Sequence, residues 1–171
     1  MANGAGGVRW LDDQEAAAWR AFVRVMHRVS AGVARDLSRD HGLSEPEYAV
    51  MVHLSESPGH TVRMGELAAG LDWSRSRLSH LLTRMEARGL VTRRDCPSDA
   101  RGALATLTPT GLAEITAAAP GHVASVRRHF VDLLDHEQLA QVAAAMQAVL
   151  DAQGACPTDG CATTDEGCDR P

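Results

Sequence analysis

The chain has 171 residues, enough for one domain with a terminal tail, and an aromatic content of only 4% favours a core of aliphatic side chains carried by helices. Its formal net charge of −5 argues at first against a nucleic-acid partner. No apolar run approaches the roughly 18 residues of a membrane span, so we expect a cytoplasmic protein with no membrane partner and with reduced cysteines.

The first part of the chain predicts two helices, each with a capping motif. Residues 1–10 are rich in glycine, and we expect them to be flexible. Asp12 followed by Glu15 has the capping-box pattern, and apolar residues at helical spacing then predict a helix of about 25 residues that ends near Gly42. The same pattern at residues 44–47 predicts the start of a second helix.

The next segment predicts a helix-turn-helix followed by a hairpin. Two short helical patterns, MGELAAGL and SRSRLSHLLTRMEARG, are joined by a tight polar turn at Asp72-Trp73-Ser74, in which Ser74 is a suitable N-cap. Val91-Thr92 and Ala103 to Leu107 then predict two short strands around RRDCPSDARG. A hairpin directly after a helix-turn-helix gives the winged form, so we interpret this stretch as the wing.

The C-terminal part predicts two more helices and a tail. Thr108-Pro109 starts the first of these helices, in which Pro120-Gly121 should cause a kink or an interruption. The last helix begins at Asp135. Residues 154–171 contain too little apolar area to become ordered, and we expect them to form a disordered acidic tail that contains cysteines.

These elements predict a mainly α fold with a small β-hairpin wing. We expect residues 43–108 to form a winged helix-turn-helix DNA-binding lobe. The helices at 11–42 and 109–153 carry apolar faces that one chain of this size cannot cover, so we expect them to form a dimerisation region.

Positive charge is concentrated in this lobe. Residues 61–102 hold eight arginines against five acidic residues, although the whole chain is acidic. In the second helix of the pair, three leucines and Met85 share one face, while the opposite face is small, polar or cationic. An ordinary solvated face is the alternative interpretation, but such a face usually mixes acids with cations, and here the only acid is Glu86, off to one side.

We therefore expect the polar face to enter the major groove of double-stranded DNA. The candidate contacts on this helix are Ser74, Arg75, Ser76, Arg77, Ser79, His80, Thr83 and Arg84. In the wing, Arg94 and Arg101 are further candidates, and an arginine at the tip suits the negative potential of a narrow minor groove. Asp95 or Asp99 is expected to stabilise the wing by pairing with an arginine.

The segment LSHLLTRMEARGLVTRRDCPSDARGALATLTPTG resembles the MarR family of transcriptional regulators, and the resemblance extends from about residue 13 to residue 152. It rests on the recognition helix, the junction Met85 to Val91, the wing pattern at Asp99 and Arg101, and the closing pattern Leu107 to Gly111. The resemblance implies a homodimer that binds palindromic operators, usually as a repressor, with Arg101 in the minor groove. It also implies release from DNA by a small anionic or phenolic effector or by cysteine oxidation.

Cysteines leave a metal- or redox-responsive regulator open as an alternative, although no cofactor is required. The spacing of Cys156, Cys161 and Cys168 is an imperfect match to a structural zinc site, so zinc would need further ligands, such as a histidine. Cys96 lies among wing arginines, which can lower a thiol pKa and make it a redox sensor.

An effector pocket is expected between the terminal helices and the DNA-binding lobe. Trp10, Trp19, Arg20 and Arg24 are the candidate lining residues, because an anionic aromatic ligand needs a stacking surface and a cation. A winged helix that serves only as a protein-interaction module is a less favoured alternative. An enzyme is not expected, because no nucleophile has a base at meaningful spacing.

Overall fold

The computed structural model describes residues 7–96 and 99–154, without the side chains of residues 96 and 99–102. The helices and strands are α1 (Asp13–His41), α2 (Glu45–Glu56), β1 (Thr61–Arg63), α3 (Met64–Gly70), α4 (Arg75–Ala87), β2 (Val91–Cys96), β3 (Asp99–Leu107), α5 (Pro109–His129) and α6 (His136–Gly154). Single 3-10 turns occupy Pro58–His60 and Val131–Leu133. The mainly α fold with a small wing is thus confirmed. None of the described helices is long and apolar enough to cross a membrane.

The predicted helix starts in the first part of the chain are confirmed in detail. The Asp12 side chain accepts from the Glu15 amide at 2.8 Å, and the Glu15 side chain accepts from the Asp12 amide at 2.9 Å. Ser44 and Glu47 form the same reciprocal box at the start of α2. Each box gives partners to amides that a helix start leaves unpaired, so both helices begin where the sequence predicts.

The sheet is larger than the predicted hairpin. It has three antiparallel strands in the order β1-β3-β2, in which Thr61 of β1 pairs with Thr106 of β3 and their hydroxyls lie 2.9 Å apart. The sequence pattern missed β1 because three residues are too few to display strand periodicity. β3 therefore lies in the middle of the sheet, where hydrogen bonds on both sides hold the base of the wing.

Of the kink or interruption expected at Pro120-Gly121, the interruption is wrong, because α5 continues through both residues to His129, and the kink stays a prediction. Ala118 and Ser125 on either side of the proline are buried. Proline has no backbone N–H, so one hydrogen bond of α5 is missing at this point. Contacts with the rest of the fold, such as the hydrogen bond that Ser125 donates to Asp36 of α1, keep the helix continuous.

The core lies beneath the helix-turn-helix. Leu78, Leu81, Leu82 and Met85, the predicted inner face of α4, are all buried. They pack with side chains of α2, α3 and the sheet in one hydrophobic cluster. The inner face of α4 is thereby fixed, and its opposite face is left at the surface.

The chain divides into two compact units, Met1–Phe130 and Val131–Pro171. The first contains α1 to α5 and all three strands, and the second contains α6. Within α6 no residue is buried.

The start of α5 lies very close to the end of the helix-turn-helix. A Cβ atom at Gly111 would overlap the carbonyl oxygen of Leu90 and lie 2.8 Å from Leu107 Cδ1. The Thr108 hydroxyl also donates to the carbonyl oxygen of Gly89 at 2.7 Å. Only glycine permits this approach of two backbones.

A buried polar cluster joins α1 to α5. Asp36 is only 7% exposed, and it accepts from the Ser125 hydroxyl at 2.7 Å and lies 3.0 Å from His129 Nε2. The guanidinium groups of Arg39 and Arg128 lie 3.0 and 3.5 Å from the same carboxylate. The hydrogen bond from Ser125, the contact with His129 and the two arginines lower the pKa of Asp36 to about 2.

We predict that Gly111→Ala destabilises the protein by about 1–3 kcal/mol, because the added methyl group must displace a backbone carbonyl. Gly65→Ala is the matched control, since its Cβ would meet only Arg75 Nη2 at 3.6 Å. Urea unfolding of both variants measures the difference. Equal stability of the two variants would contradict the close approach.

We predict that Asp36→Asn reduces the loss of stability on acidification between pH 3.8, the ordinary value of the carboxyl, and about 2, its value in the fold. A lowered carboxyl pKa stabilises the fold above the ordinary value, and this contribution is lost as pH falls through the folded value. Unfolding curves across this range, with Glu114→Gln on the exposed side of α5 as control, measure the effect. Identical slopes for wild type and Asp36→Asn would show that the cluster contributes nothing.

Candidate nucleic-acid interface

The turn between α3 and α4 has a specific backbone geometry. The Trp73 amide donates to the Ala68 carbonyl at 2.9 Å, and the Asp72 amide donates to the Ala69 carbonyl at 3.1 Å. Asp72 has a φ of 53°, in the left-handed region. This is a Schellman motif in which aspartate occupies the position that glycine usually takes. The motif ends α3 and directs the chain into α4 within a few residues.

Helix α4 begins as the sequence predicts. The Ser74 side chain caps it by accepting from the Arg77 amide at 3.3 Å. Seven of the eight candidate contacts in this region are exposed, and Ser79 is half-buried. Thr83 donates its hydroxyl to the Ser79 carbonyl at 3.0 Å, so its oxygen is left with accepting capacity only. The structure therefore places the predicted polar and cationic residues on the side of α4 opposite the core, and we call this set the α4 face: Ser74, Arg75, Ser76, Arg77, Ser79, His80, Thr83 and Arg84.

One arginine of the α4 face has an aromatic partner that the sequence did not reveal. The Arg77 guanidinium carbon lies 4.2 Å from the centroid of the Trp73 ring. Trp73 is half-buried against the hydrophobic core, so the ring is held in place. Trp73 and Arg77 are four residues apart in the sequence. Because Trp73 precedes the helix, helical periodicity did not predict that the two side chains stack.

The end of α4 is joined to the base of the wing by an ion pair. The Arg93 guanidinium donates to Glu86 Oε2 at 2.8 and 3.1 Å, and the Arg93 amide donates to Glu86 Oε1 at 3.0 Å. These hydrogen bonds lower the pKa of the Glu86 carboxyl. Glu86, which the sequence placed off to one side of the helix, thus orients the wing. The guanidinium group of Arg93 is engaged by this carboxylate.

A second ion pair fixes the end of α4 to α2. Arg88 Nη1 donates to Glu47 Oε1 at 2.8 Å, and Arg88 Nη2 donates to the Gly42 carbonyl at 3.2 Å. Burial opposes the ionised form of Glu47, but hydrogen bonds from Ser44 and Arg88 lower the pKa of its carboxyl. The cap of α2 and the position of α4 therefore depend on one carboxylate.

The wing contains β2 and β3, and its candidate residues lie on both strands. Arg94 and Asp95 have exposed side chains on β2. Asp99 and Arg101 lie in β3, with Cys96 opposite Asp99 and an irregularity in register between Asp95 and Cys96. The side chains of Cys96, Asp99 and Arg101 lie outside the described residues, so the predicted pairing of Asp99 and the role of Arg101 stay predictions.

The four candidate effector residues are not all brought together. Trp19 lies in an open groove of about 480 Å³ along α1, with Phe22, Met26 and Glu45 among the lining residues. Trp10, Arg20 and Arg24 are exposed and do not line this groove. A separate cavity of about 360 Å³ contains Tyr48 and His122, whose rings stack at 4.2 Å.

No group of three or more His, Cys, Asp or Glu side chains in the described part of the chain is arranged to hold a metal ion. The candidate zinc ligands Cys156, Cys161 and Cys168 lie outside that part. The described residues therefore provide no support for the metal-responsive alternative.

The chain resembles known regulators in sequence and in structure. A MarR family model matches residues 41–102. AbsC, a MarR family transcriptional regulator from Streptomyces coelicolor, is 43% identical, with 86% of this chain and 99% of that chain covered and a TM-score of 0.81. Sco3205, a MarR family transcriptional regulator from the same organism whose structure is in complex with DNA, is 38% identical, with 96% and 98% covered and a TM-score of 0.82.

Transcriptional regulator HosA from Escherichia coli O111:H- is 38% identical over 79 residues. That match covers 46% of this chain and 56% of HosA, so it spans about half the length of that relative. The matches to AbsC and Sco3205 extend over nearly their full lengths, and the architecture agrees with them. The chain therefore belongs to the MarR family of transcriptional regulators.

Proposed function

We propose that this protein is a homodimeric, sequence-specific DNA-binding regulator, acting in the cytoplasm as a repressor that a small-molecule effector releases from a palindromic operator. The observation that carries the proposal is the α4 face. Its residues are polar or cationic, and all except the half-buried Ser79 are exposed, while the opposite side of the same helix is buried in the core. A helix presented in this way fits the major groove of B-form DNA.

The charges of the α4 face support this proposal over an ordinary solvated surface. The helix carries one acid, Glu86, and that carboxylate is already neutralised by Arg93. Arg75, Arg77 and Arg84 are exposed on the face. With the acid engaged elsewhere, the cations can interact with phosphates and guanine edges without a competing carboxylate on the helix.

The wing supplies the second proposed contact. Arg94 is exposed at the base of the hairpin, where it can reach a phosphate, and Arg101 follows in β3. The link between Glu86 and Arg93 sets the direction in which the hairpin leaves α4. The wing and the recognition helix would therefore meet the duplex as one rigid surface.

Exposed apolar residues support the homodimer. In α1 the side chains of Trp19 and Met26 are 57% and 54% exposed, and in α5 Val123 is 56% exposed. In α6 the side chains of Val149 and Leu150 are also exposed. Such surfaces are costly in water, and a second copy that covers them would place two α4 faces on successive half-sites of a palindrome.

The effector is proposed to be small and anionic or phenolic, and the groove that contains Trp19 favours the phenolic class, because Glu45 lines it and Arg20 and Arg24 do not. The groove that contains Trp19 offers aromatic and aliphatic walls on α1 and borders Glu45 of α2, so a ligand there would touch the dimerisation helix and the DNA-binding lobe together. A coupling of about 1–3 kcal/mol between the ligand and DNA would change operator affinity by about 5- to 150-fold.

We predict that Arg77→Ala weakens binding to the upstream DNA of the protein's own gene by about 1–3 kcal/mol and relaxes its sequence preference, because a base contact is lost. Fluorescence anisotropy against scrambled DNA, from about 50 to 200 mM salt, measures both. Arg35→Ala, which removes an exposed arginine of α1, is the control. Equal losses on both DNAs would show that Arg77 touches only phosphate. Absence of any preference by the wild-type protein for DNA selected from a random pool would overturn the proposed function.

We predict a different signature for the wing. Arg94→Ala should weaken binding to operator and random DNA alike and reduce the salt slope by about one, because it removes a phosphate contact. Arg101→Ala should weaken operator binding severely, as expected of an arginine in the minor groove. The same anisotropy titrations distinguish the two, and an Arg101→Ala protein with wild-type operator affinity would exclude the minor-groove role.

A further inference from the structure

We propose that Trp73 is a positioning residue for sequence recognition, which holds the Arg77 guanidinium ready to read a guanine edge. This inference rests on the proposed function, because it assumes that the α4 face meets DNA. It adds a residue that was not among the candidate contacts and that acts through Arg77.

The Trp73 ring is fixed by the fold before any DNA is present. The backbone amide of Trp73 donates to the Ala68 carbonyl and completes the Schellman motif, in which Asp72 is the left-handed residue. Its side chain packs against the hydrophobic core. A ring held by both its backbone and its packing is a rigid platform, unlike a freely rotating surface aromatic.

Arg77 is placed over this platform by the helix start. Ser74 accepts from the Arg77 amide, which fixes the backbone of Arg77 at the third helical residue. The guanidinium carbon then lies 4.2 Å from the ring centroid, well within the distance at which a cation and an aromatic face attract each other. The stack already restricts the rotamers of the Arg77 side chain. Less conformational entropy is therefore lost when this side chain binds DNA.

Because the partner of Arg77 is an aromatic ring and not a carboxylate, its guanidinium group can still donate hydrogen bonds to DNA. Arg88 and Arg93 are held by the carboxylates of Glu47 and Glu86, which occupy their N–H donors and offset their charge. Among the described residues, no carboxylate pairs with Arg77. An aromatic ring covers the face of a guanidinium and leaves the donors at its edge free, and those donors make the bidentate contact with guanine O6 and N7. Arg77 is thus ordered and still able to bind.

Loss of the ring should therefore reduce specificity and not only affinity. The test is a double-mutant cycle with Trp73→Leu, Arg77→Ala and both together, measured on an operator selected from a random duplex pool and on scrambled DNA. We expect Trp73→Leu to lower the preference for the operator about two- to fivefold in the presence of Arg77, as the loss of an exposed cation–π contact implies. In the Arg77→Ala background the same change should have no further effect on that preference.

Two controls separate positioning from a merely structural role. Trp73→Phe keeps an aromatic face and should retain more of the preference than Trp73→Leu, which also provides a folded variant if leucine is not tolerated. Thermal unfolding of each variant reports the packing contribution separately.

The outcomes are distinguishable. Equal loss of preference on replacing Trp73 with and without Arg77 would mean that Trp73 acts through packing, and the inference would be wrong. Wild-type preference in both Trp73 variants would overturn it and leave the proposed function intact. If the wild-type protein has no sequence preference at all, both proposals fall together.

Discussion

The position of α4 depends on two left-handed residues, Asp72 before the helix and Gly89 after it. Gly89 donates to the Glu86 carbonyl and Leu90 donates to the Met85 carbonyl, so the helix ends in the same Schellman geometry that precedes it. These turns direct the chain sharply at each end, from α3 into α4 and from α4 into β2. With its length and its exits both fixed, α4 has one way to bury its apolar side, and its polar side has to face outward.

The arginines of the lobe form two groups with different chemistry. Arg88 and Arg93 are paired with partly buried carboxylates, and they hold α4 to α2 and to the wing. Arg75 and Arg84, together with Arg77 on its aromatic support, remain exposed. The eight arginines counted between residues 61 and 102 therefore overstate the number of cations available to DNA, because Arg88 and Arg93 are used inside the protein. Arg75, Arg77 and Arg84 lie on one surface, and electrostatic attraction to a duplex depends on such clustering more than on net charge.

Much of the fold could be predicted because its signals are local. Capping residues such as Asp12, Ser44 and Ser74 act within three residues, and the apolar spacing that buries Met85 repeats within one helix. The features that the sequence did not predict depend on contacts between residues that are distant along the chain or lie in different elements. Strand β1 is defined by its pairing with β3, the continuity of α5 through Pro120 depends on contacts outside the helix, and the Glu86–Arg93 link crosses a turn. The candidate contacts of α4 followed from helical periodicity, but their partners, Trp73 above all, required the folded chain.

The fold also provides a continuous path from α1 and α5, the helices of the proposed dimerisation region, to the α4 face. The first residues of α5 are held to the end of the helix-turn-helix by Thr108, whose hydroxyl reaches Gly89, and by the close approach at Gly111. Further along, α5 is joined to α1 by the buried carboxylate of Asp36. Closely packed, fully hydrogen-bonded junctions resist gradual deformation. A ligand that displaced α1 would therefore have to move α5 as a body, and with it the left-handed turn that ends α4. In the proposed homodimer, that movement would alter the spacing of the two α4 helices, which binding to the proposed palindromic operator would not tolerate because half-site spacing is fixed by the DNA.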